Sequence, residues 1–244
     1  LNLEAIMVTT DSAIFGNREW DKRNYAKPLH LDLRNRLDVL CHPEWIWDVL
    51  VPDGVPRFRN LGDLLPPGKD SVKGAASALA AELDPTLSWD DIAWLRDLWP
   101  GKLIVKGMIH PDDARLALQY GVDGVVLSNH GGRQLDGAVS ALETLPEVAR
   151  INQGRMEIFL DGGFRRGSDI AKALLLGASG VLIGRAGLYG LAAGKGPGAA
   201  HAIGILRSEL DRTLGLLGCS SLEELTPDLI HSAHWRALAE RIRN

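Results

Sequence analysis

The chain has 244 residues, 45% hydrophobic and 24% charged, with a formal net charge of -4. This suits one large domain with a sizeable core, and neither a basic excess nor a motif points to nucleic acid as a partner. Its two cysteines, Cys41 and Cys219, lie far apart without metal-ligand spacing, which argues against a disulfide framework or a zinc site and makes a reducing, cytoplasmic setting the default.

The first element is the apolar run "AIMVTTD" (residues 5–11), read as a buried strand. It begins so close to Leu1 that further sequence is expected upstream. The opening lacks a signal-peptide pattern, and no apolar run reaches the roughly 18 residues of a membrane span. A long crossing follows, with about sixty residues more than one strand-helix unit requires. Rich in Trp, Pro and Gly, its residues 26–86 are read as a long loop insertion. "SWDDIAWLRDLW" (88–99) opens a helix, with Ser88 three residues before Asp91 as in a capping box. Next come the strand "LIVKG" (103–107), the helix "PDDARLALQYG" (111–121) and the strand end "VVLSNHGG" (125–132). "IFLDGG" (158–163), the helix "SDIAKALLLG" (168–177) with Ser168 as its cap, and "VLIGR" (181–185) complete the series.

Alternating strands and helices with short loops predict parallel βαβ units, in either a (β/α)8 barrel or a doubly wound sheet. Asp11, Lys106, Ser128, His130, Asp161 and Gly184 all fall at or just after the C-terminal ends of strands. A barrel gathers its active site there, with a phosphate pocket at its last two strand ends. "DGGFRRG" and "GRAG" carry the glycines and arginines that a phosphate cradle needs.

Taken together, "SNHGGRQLD" (128–136), "LIVKG", "TTD" (9–11), "FGNRE" (15–19), "DGGFRRGSDIAKALLLGA" (161–178) and "VLIGRAGLYGLA" (181–192) resemble the FMN-dependent L-2-hydroxy acid dehydrogenase and oxidase family. The helix "GFRRGSDIAKALLLGA" and the tail "DRTLGLLGC" are most similar to its mandelate-oxidising members, and "HPEWIWDVL" (42–50) to bacterial lactate-oxidising ones. The resemblance implies an α/β fold, the (β/α)8 TIM barrel. The chain would start near the family's fourth strand and carry the last five strand-helix units, residues 1–244 being the C-terminal part of a single FMN-binding domain.

The same resemblance implies roles for individual residues. His130 is the expected base, Asp11 the carboxylate that orients it, and Arg133 and Arg18 the guanidiniums that hold the substrate carboxylate. Lys106 is expected beside the flavin N1 and O2, and Thr9 and Ser128 at the isoalloxazine edge. Asp161, Gly162, Gly163, Phe164 and Arg165, with Gly184 and Arg185, are expected to hold the ribityl phosphate. The implied reaction oxidises a small 2-hydroxy acid of the mandelate or lactate class to the 2-oxo acid and passes electrons to a quinone or another acceptor. A homo-oligomer is implied as well. Two alternatives stay open at this point: an oxidase that uses oxygen directly, and an inactive, truncated fragment that only binds flavin or phosphate.

Residue chemistry points the same way. An imidazole, with an ordinary pKa of about 6.5, accepts a proton at neutral pH, and a carboxylate beside it stabilises the imidazolium. A planar Arg fits a carboxylate at two points, and a cation near the flavin N1 favours the reduced ring. One phosphate cradle without a dinucleotide fingerprint predicts FMN and not FAD. His30, His42, His110, His201, His231 and His234 match no motif and are read as solvated or structural.

The insertion also predicts peripheral contact with the inner face of a membrane through residues 39–73. Residues 18–36 hold six basic side chains (Arg18, Lys22, Arg23, Lys27, Arg34, Arg36) against three acids, and 57–73 hold four (Arg57, Arg59, Lys69, Lys73) against two. Between them lies "VLCHPEWIWDVLV", whose tryptophans and aliphatic residues suit a headgroup boundary flanked by basic charge. The alternative is a loop folded over the active site or into a subunit contact.

Overall fold

The computed structural model describes residues 3–14, 16–19, 23, 32–56, 65 and 83–231. The chain divides into two compact units, Leu1–Ser12 with Thr86–Asn244, and Ala13–Pro85.

The first unit is built on five parallel strands: β1 (Ala5–Thr9), β2 (Lys102–Met108), β3 (Gly124–Leu127), β4 (Glu157–Leu160) and β5 (Gly180–Val181). They are hydrogen-bonded in the order in which they occur in the sequence. A doubly wound sheet reverses its strand order at a switch point, whereas a barrel adds each strand to the last. This sheet never reverses, so it winds as an arc of a barrel.

Register makes the two faces explicit. Val8, Val105, Val125 and Ile158 lie opposite one another in one row, where the last three join the main core and Val8 packs against it. Fully burying a side chain such as Val105, Val125 or Ile158 stabilises the fold by about 1.5–3 kcal/mol. The adjacent row, Thr9, Lys106, Val126, Phe159 and Gly180, lies on the opposite face, because successive strand residues alternate. In a closed barrel that face is the interior.

Local signals account for the helices. In α2 (Trp89–Leu98), Asp91 Oδ2 accepts both the backbone N–H of Ser88 at 2.7 Å and its hydroxyl at 2.9 Å, as the capping-box spacing predicts. In α3 (Pro111–Gln119), His110 is the N-cap, its Nδ1 accepting the Asp112 N–H at 3.2 Å. Ser140 caps α4 (Ala141–Asn152). The expected Ser168 cap is corrected: α5 (Gly167–Leu175) already begins at Gly167, with Arg166 as N-cap. Asp169 Oδ2 accepts the N–H groups of Arg165 and Arg166 at 3.2 and 3.0 Å, so the helix is closed from its third position back onto its start. The long helix α6 (Arg185–Leu217) is two arms joined at a kink where Gly194 and Lys195 leave helical geometry.

The second unit contains α1 (Leu33–Leu40), capped by Asp32, and a helical run over residues 43–53 with a π turn at Ile46–Leu50. Lys22, Lys27, Arg57, Arg59, Lys69 and Lys73 of the basic flanks lie outside the described residues.

At the N-terminal end of the sheet, opposite the strand ends where the expected site residues lie, Asp123 ties β2 to α2. Its carboxylate accepts from Arg96 Nη1 at 2.8 Å, Lys102 Nζ at 2.9 Å and the Leu103 N–H at 2.9 Å. Burial alone would raise its pKa, but the Leu103 amide and the two cations outweigh burial and lower it to about 2. A depressed carboxylate pKa adds stability above the unfolded value of about 3.9 and loses it as the pH falls toward the folded value. The difference corresponds to on the order of 2 kcal/mol at neutral pH. Asp123→Asn should therefore lower the urea midpoint at pH 7, and the gap to the parent should narrow between about pH 4 and 2. A gap independent of pH would show that the carboxylate charge is not what stabilises this end.

Candidate active site

At the C-terminal end of the sheet, the backbone brings four strand ends to one place. Beyond β1, the Thr10 N–H and hydroxyl both donate to the Lys106 carbonyl, at 2.8 and 3.0 Å, and hold the chain alongside β2. Asp11 follows. Its Oδ1 lies 3.0 Å from His130 Nδ1, and Ser12 Oγ lies 3.5 Å from the same nitrogen.

Beyond β3 the chain makes a tight turn in which His130, Gly131 and Gly132 have φ of 55°, 64° and 72°. Two of these are glycines, for which this region costs little. For histidine it costs roughly 1–2 kcal/mol, and the turn holds it there: the His130 N–H donates to Ser128 Oγ at 2.9 Å, and the Gly132 N–H to Asn129 Oδ1 at 3.2 Å. Strain of this kind at a strand end is a recurring feature of functional sites.

Ser128 is fully buried and central to the network. It accepts from Lys106 Nζ at 2.9 Å, and its hydroxyl lies 3.5 Å from Asp11 Oδ2. Lys106 Nζ also pairs with Asp161 Oδ2 at 2.6 Å, each side chain being only 15% exposed. The second oxygen, Asp161 Oδ1, is buried and has no hydrogen-bond partner among the described residues.

Next to this network is a cavity of about 900 Å³, lined among the described residues by Lys106, His130, Arg133, Arg165 and Arg185, by the open backbone of Gly162, Gly163 and Gly184, and by Phe164. A Cβ built at Gly163 or Gly184 would meet nothing within 4 Å, so the backbone there is free for close approach by a ligand. Arg185 Nη2 donates to the Gly131 carbonyl at 2.8 Å, tying the start of α6 to the histidine turn. Phe164 is also part of the main core and anchors the glycine loop.

The site residues expected from sequence therefore have distinct positions. Asp11, Lys106, Ser128, His130 and Asp161 form one hydrogen-bonded network, and Arg133, Gly162, Gly163, Phe164, Arg165, Gly184 and Arg185 line the cavity with Lys106, His130 and Asp161. Thr9 is exposed at the end of β1, opposite Lys106 in register. Arg18 belongs to the other compact unit. Sequence reasoning missed Ser12, Asn129, Gly107 and the apolar wall that includes Ile183, Tyr189 and Leu206. Tyr189 stands within the quoted "GRAGLYG" and could have been found there; Leu206 sits far along α6 with no local signal.

The family described as FMN-dependent dehydrogenase matches residues 1–232. (S)-Mandelate dehydrogenase of Pseudomonas putida is 42% identical over 229 residues, covering 93% of this chain and 56% of that protein. An L-lactate oxidase from a Nostoc species is 39% identical over 229 residues, covering 93% and 57%. Among solved structures, that of the monotopic membrane protein (S)-mandelate dehydrogenase superposes with a TM-score of 0.86 at 41% identity, over 93% of this chain and 60% of that one. The chain thus spans somewhat more than half the length of these relatives, as part of a barrel.

The residues present fit FMN. Arg165 and Arg185 supply cations, Gly163 and Gly184 an open backbone, and Asp161 Oδ1, without a partner among the described residues, an acceptor for a ligand hydroxyl, all within one cavity or its wall.

Proposed function

Because this chain belongs to the FMN-dependent dehydrogenase family, we propose that it carries the C-terminal half of an enzyme that oxidises an L-2-hydroxy acid of the mandelate or lactate class to the 2-oxo acid. Electrons then pass to a quinone-type acceptor. The observation that carries this reading is the Asp11–His130 pair, 3.0 Å apart, beside a cavity that also holds Arg133 and the glycine-arginine cradle.

When bound, FMN supplies the two-electron acceptor. The protein's own groups do the rest. Arg133 holds the substrate carboxylate with its planar guanidinium. Asp11 engages Nδ1 of His130, which fixes the tautomer and leaves Nε2 to take a proton from the bound hydroxy acid. The carboxylate then stabilises the imidazolium. Lys106 would contribute positive charge where a reduced ring carries negative charge, with Thr9 opposite it in register and Ser128 hydrogen-bonded to it.

The test is turnover by the flavin-loaded protein. Under nitrogen, L-mandelate or L-lactate should reduce a quinone analogue or a redox dye, and the 2-oxo acid should accumulate. Stoichiometric peroxide in air would assign the protein to the oxidases, and no turnover with either acceptor would overturn the reading.

Peripheral attachment to the inner face of a membrane belongs to the same proposal. Leu33, Leu37 and Leu40 recur on one side of α1 and are all exposed, as are Trp45, Trp47 (73%) and Val51 in the run that follows. Exposed apolar side chains grouped in this way suit a lipid boundary, and no helix among the described residues is long and apolar enough to cross one. Replacing residues 39–73 by a short linker should move the protein from the membrane pellet to the soluble fraction with flavin still bound. An intact protein already fully soluble in lysates would refute the attachment.

A further inference from the structure

We infer that Gly107 is a positioning residue for the reaction proposed above, on which this role rests: it sets where the Asp11 carboxylate meets His130. The β2–β3 ladder pairs Lys106 with Val126 and Met108 with Leu127, so Gly107 is one extra residue in β2, a bulge. Its φ of 106° lies in the region that favours glycine. A Cβ built there would come within 2.7 Å of the N, Cβ and Cγ atoms of Asp11.

The bulge also sets the residues on either side. Without an extra residue, Lys106 and Met108 would point to the same face of the sheet. With it, Met108 joins the helix-side core along with Val105, while Lys106 reaches Ser128 and Asp161. The carbonyls flanking Gly107 carry the neighbouring strand ends: Lys106 O accepts from the Thr10 N–H at 2.8 Å, and Met108 O from the Ser128 N–H at 3.1 Å. One glycine therefore fixes the approach of Asp11, Lys106 and Ser128, and the carboxylate-bearing residue is the one packed directly against it.

The test is Gly107→Ala in the flavin-loaded enzyme. A contact of 2.7 Å must open by roughly 0.7 Å or more, and misplacement on the order of 1 Å in an active site costs up to about 10²-fold. The expected result is a kcat lower by about 10²-fold, with flavin absorbance and KM little changed. A purely structural role would not reproduce the second expectation: in an Asp11→Ala background the same change should cost less than about threefold, because the carboxylate it displaces is already gone. If the alanine variant does not fold, Gly107→Asn replaces it, since asparagine tolerates positive φ better and carries the same Cβ. Near-normal kcat, loss of flavin in both variants, or full additivity with Asp11→Ala would overturn the positioning role alone. Absence of turnover in the parent protein would overturn the proposed function and this role with it.

Discussion

His130→Ala is expected to reduce turnover of the 2-hydroxy acid by about 10²–10⁴-fold, while flavin remains bound. The geometry separates the two functions. The proposed base sits on the turn after β3 and is held by Asp11, whereas the proposed cradle is built from the loop after β4 and the start of α6. Removing the imidazole deletes the proposed proton acceptor but none of the arginines or open glycines. Alanine is also a poor residue for a φ of 55°, so some of its effect could come from the backbone. His130→Asn controls for this, because asparagine enters the left-handed region more readily and cannot act as a base. Both variants should lose turnover and keep the flavin spectrum. If Asn restores activity toward the parent value, the backbone and not the imidazole carries the effect, and the base must be reassigned.

Much of this site could be read from the sequence because its residues lie at the C-terminal ends of short apolar runs, and that placement is a local property. Asp11, Lys106, Ser128, His130 and Asp161 are each one or a few residues past a strand core, so locating the strands was enough to bring them together. The rest depends on competition between neighbouring side chains or on register against another strand. Ser168 has the residue type of a cap, but Asp169 binds the N–H groups of Arg165 and Arg166 and the helix starts one residue before the serine. The bulge at Gly107 is invisible in "LIVKG", since it exists only relative to the register of β3. The long helix α6 was not anticipated, because Gly190, Gly194, Gly196, Pro197 and Gly198 interrupt its apolar periodicity. Its two arms approach so closely at Gly190 and Gly198 that a Cβ on either would collide with the backbone of the other.

Gly167→Ala is expected to be the most damaging glycine substitution for the cradle as a whole. Gly167 opens α5, and its N–H donates to Glu209 Oε2 at 2.9 Å, while Arg166 pairs with Glu209 Oε1 at 3.0 Å. Helices α5 and α6 cross here with no room for a side chain: a Cβ at Gly167 would overlap Leu210 N and Glu209 C and lie 2.7 Å from Glu209 Cβ. Two of the obstacles are backbone atoms of a helix, which cannot rotate aside, so the helices themselves must separate. Overpacking of this kind costs about 1–3 kcal/mol or more, a fall in Tm of roughly 2–12 °C for a chain of this size. The cradle should suffer in addition, because the loop from Asp161 to Arg165 leads directly into α5 and Gly184–Arg185 leads into α6. Flavin affinity is therefore expected to fall together with Tm. Gly204→Ala is the control: Gly204 also lies in α6, is exposed, and would meet nothing within 4 Å, so alanine there should stabilise by about 0.5–1 kcal/mol and leave flavin binding unchanged. Equal Tm values for the two variants, or a Gly167→Ala protein that binds flavin as the parent does, would mean that the α5–α6 crossing does not hold the cradle in shape.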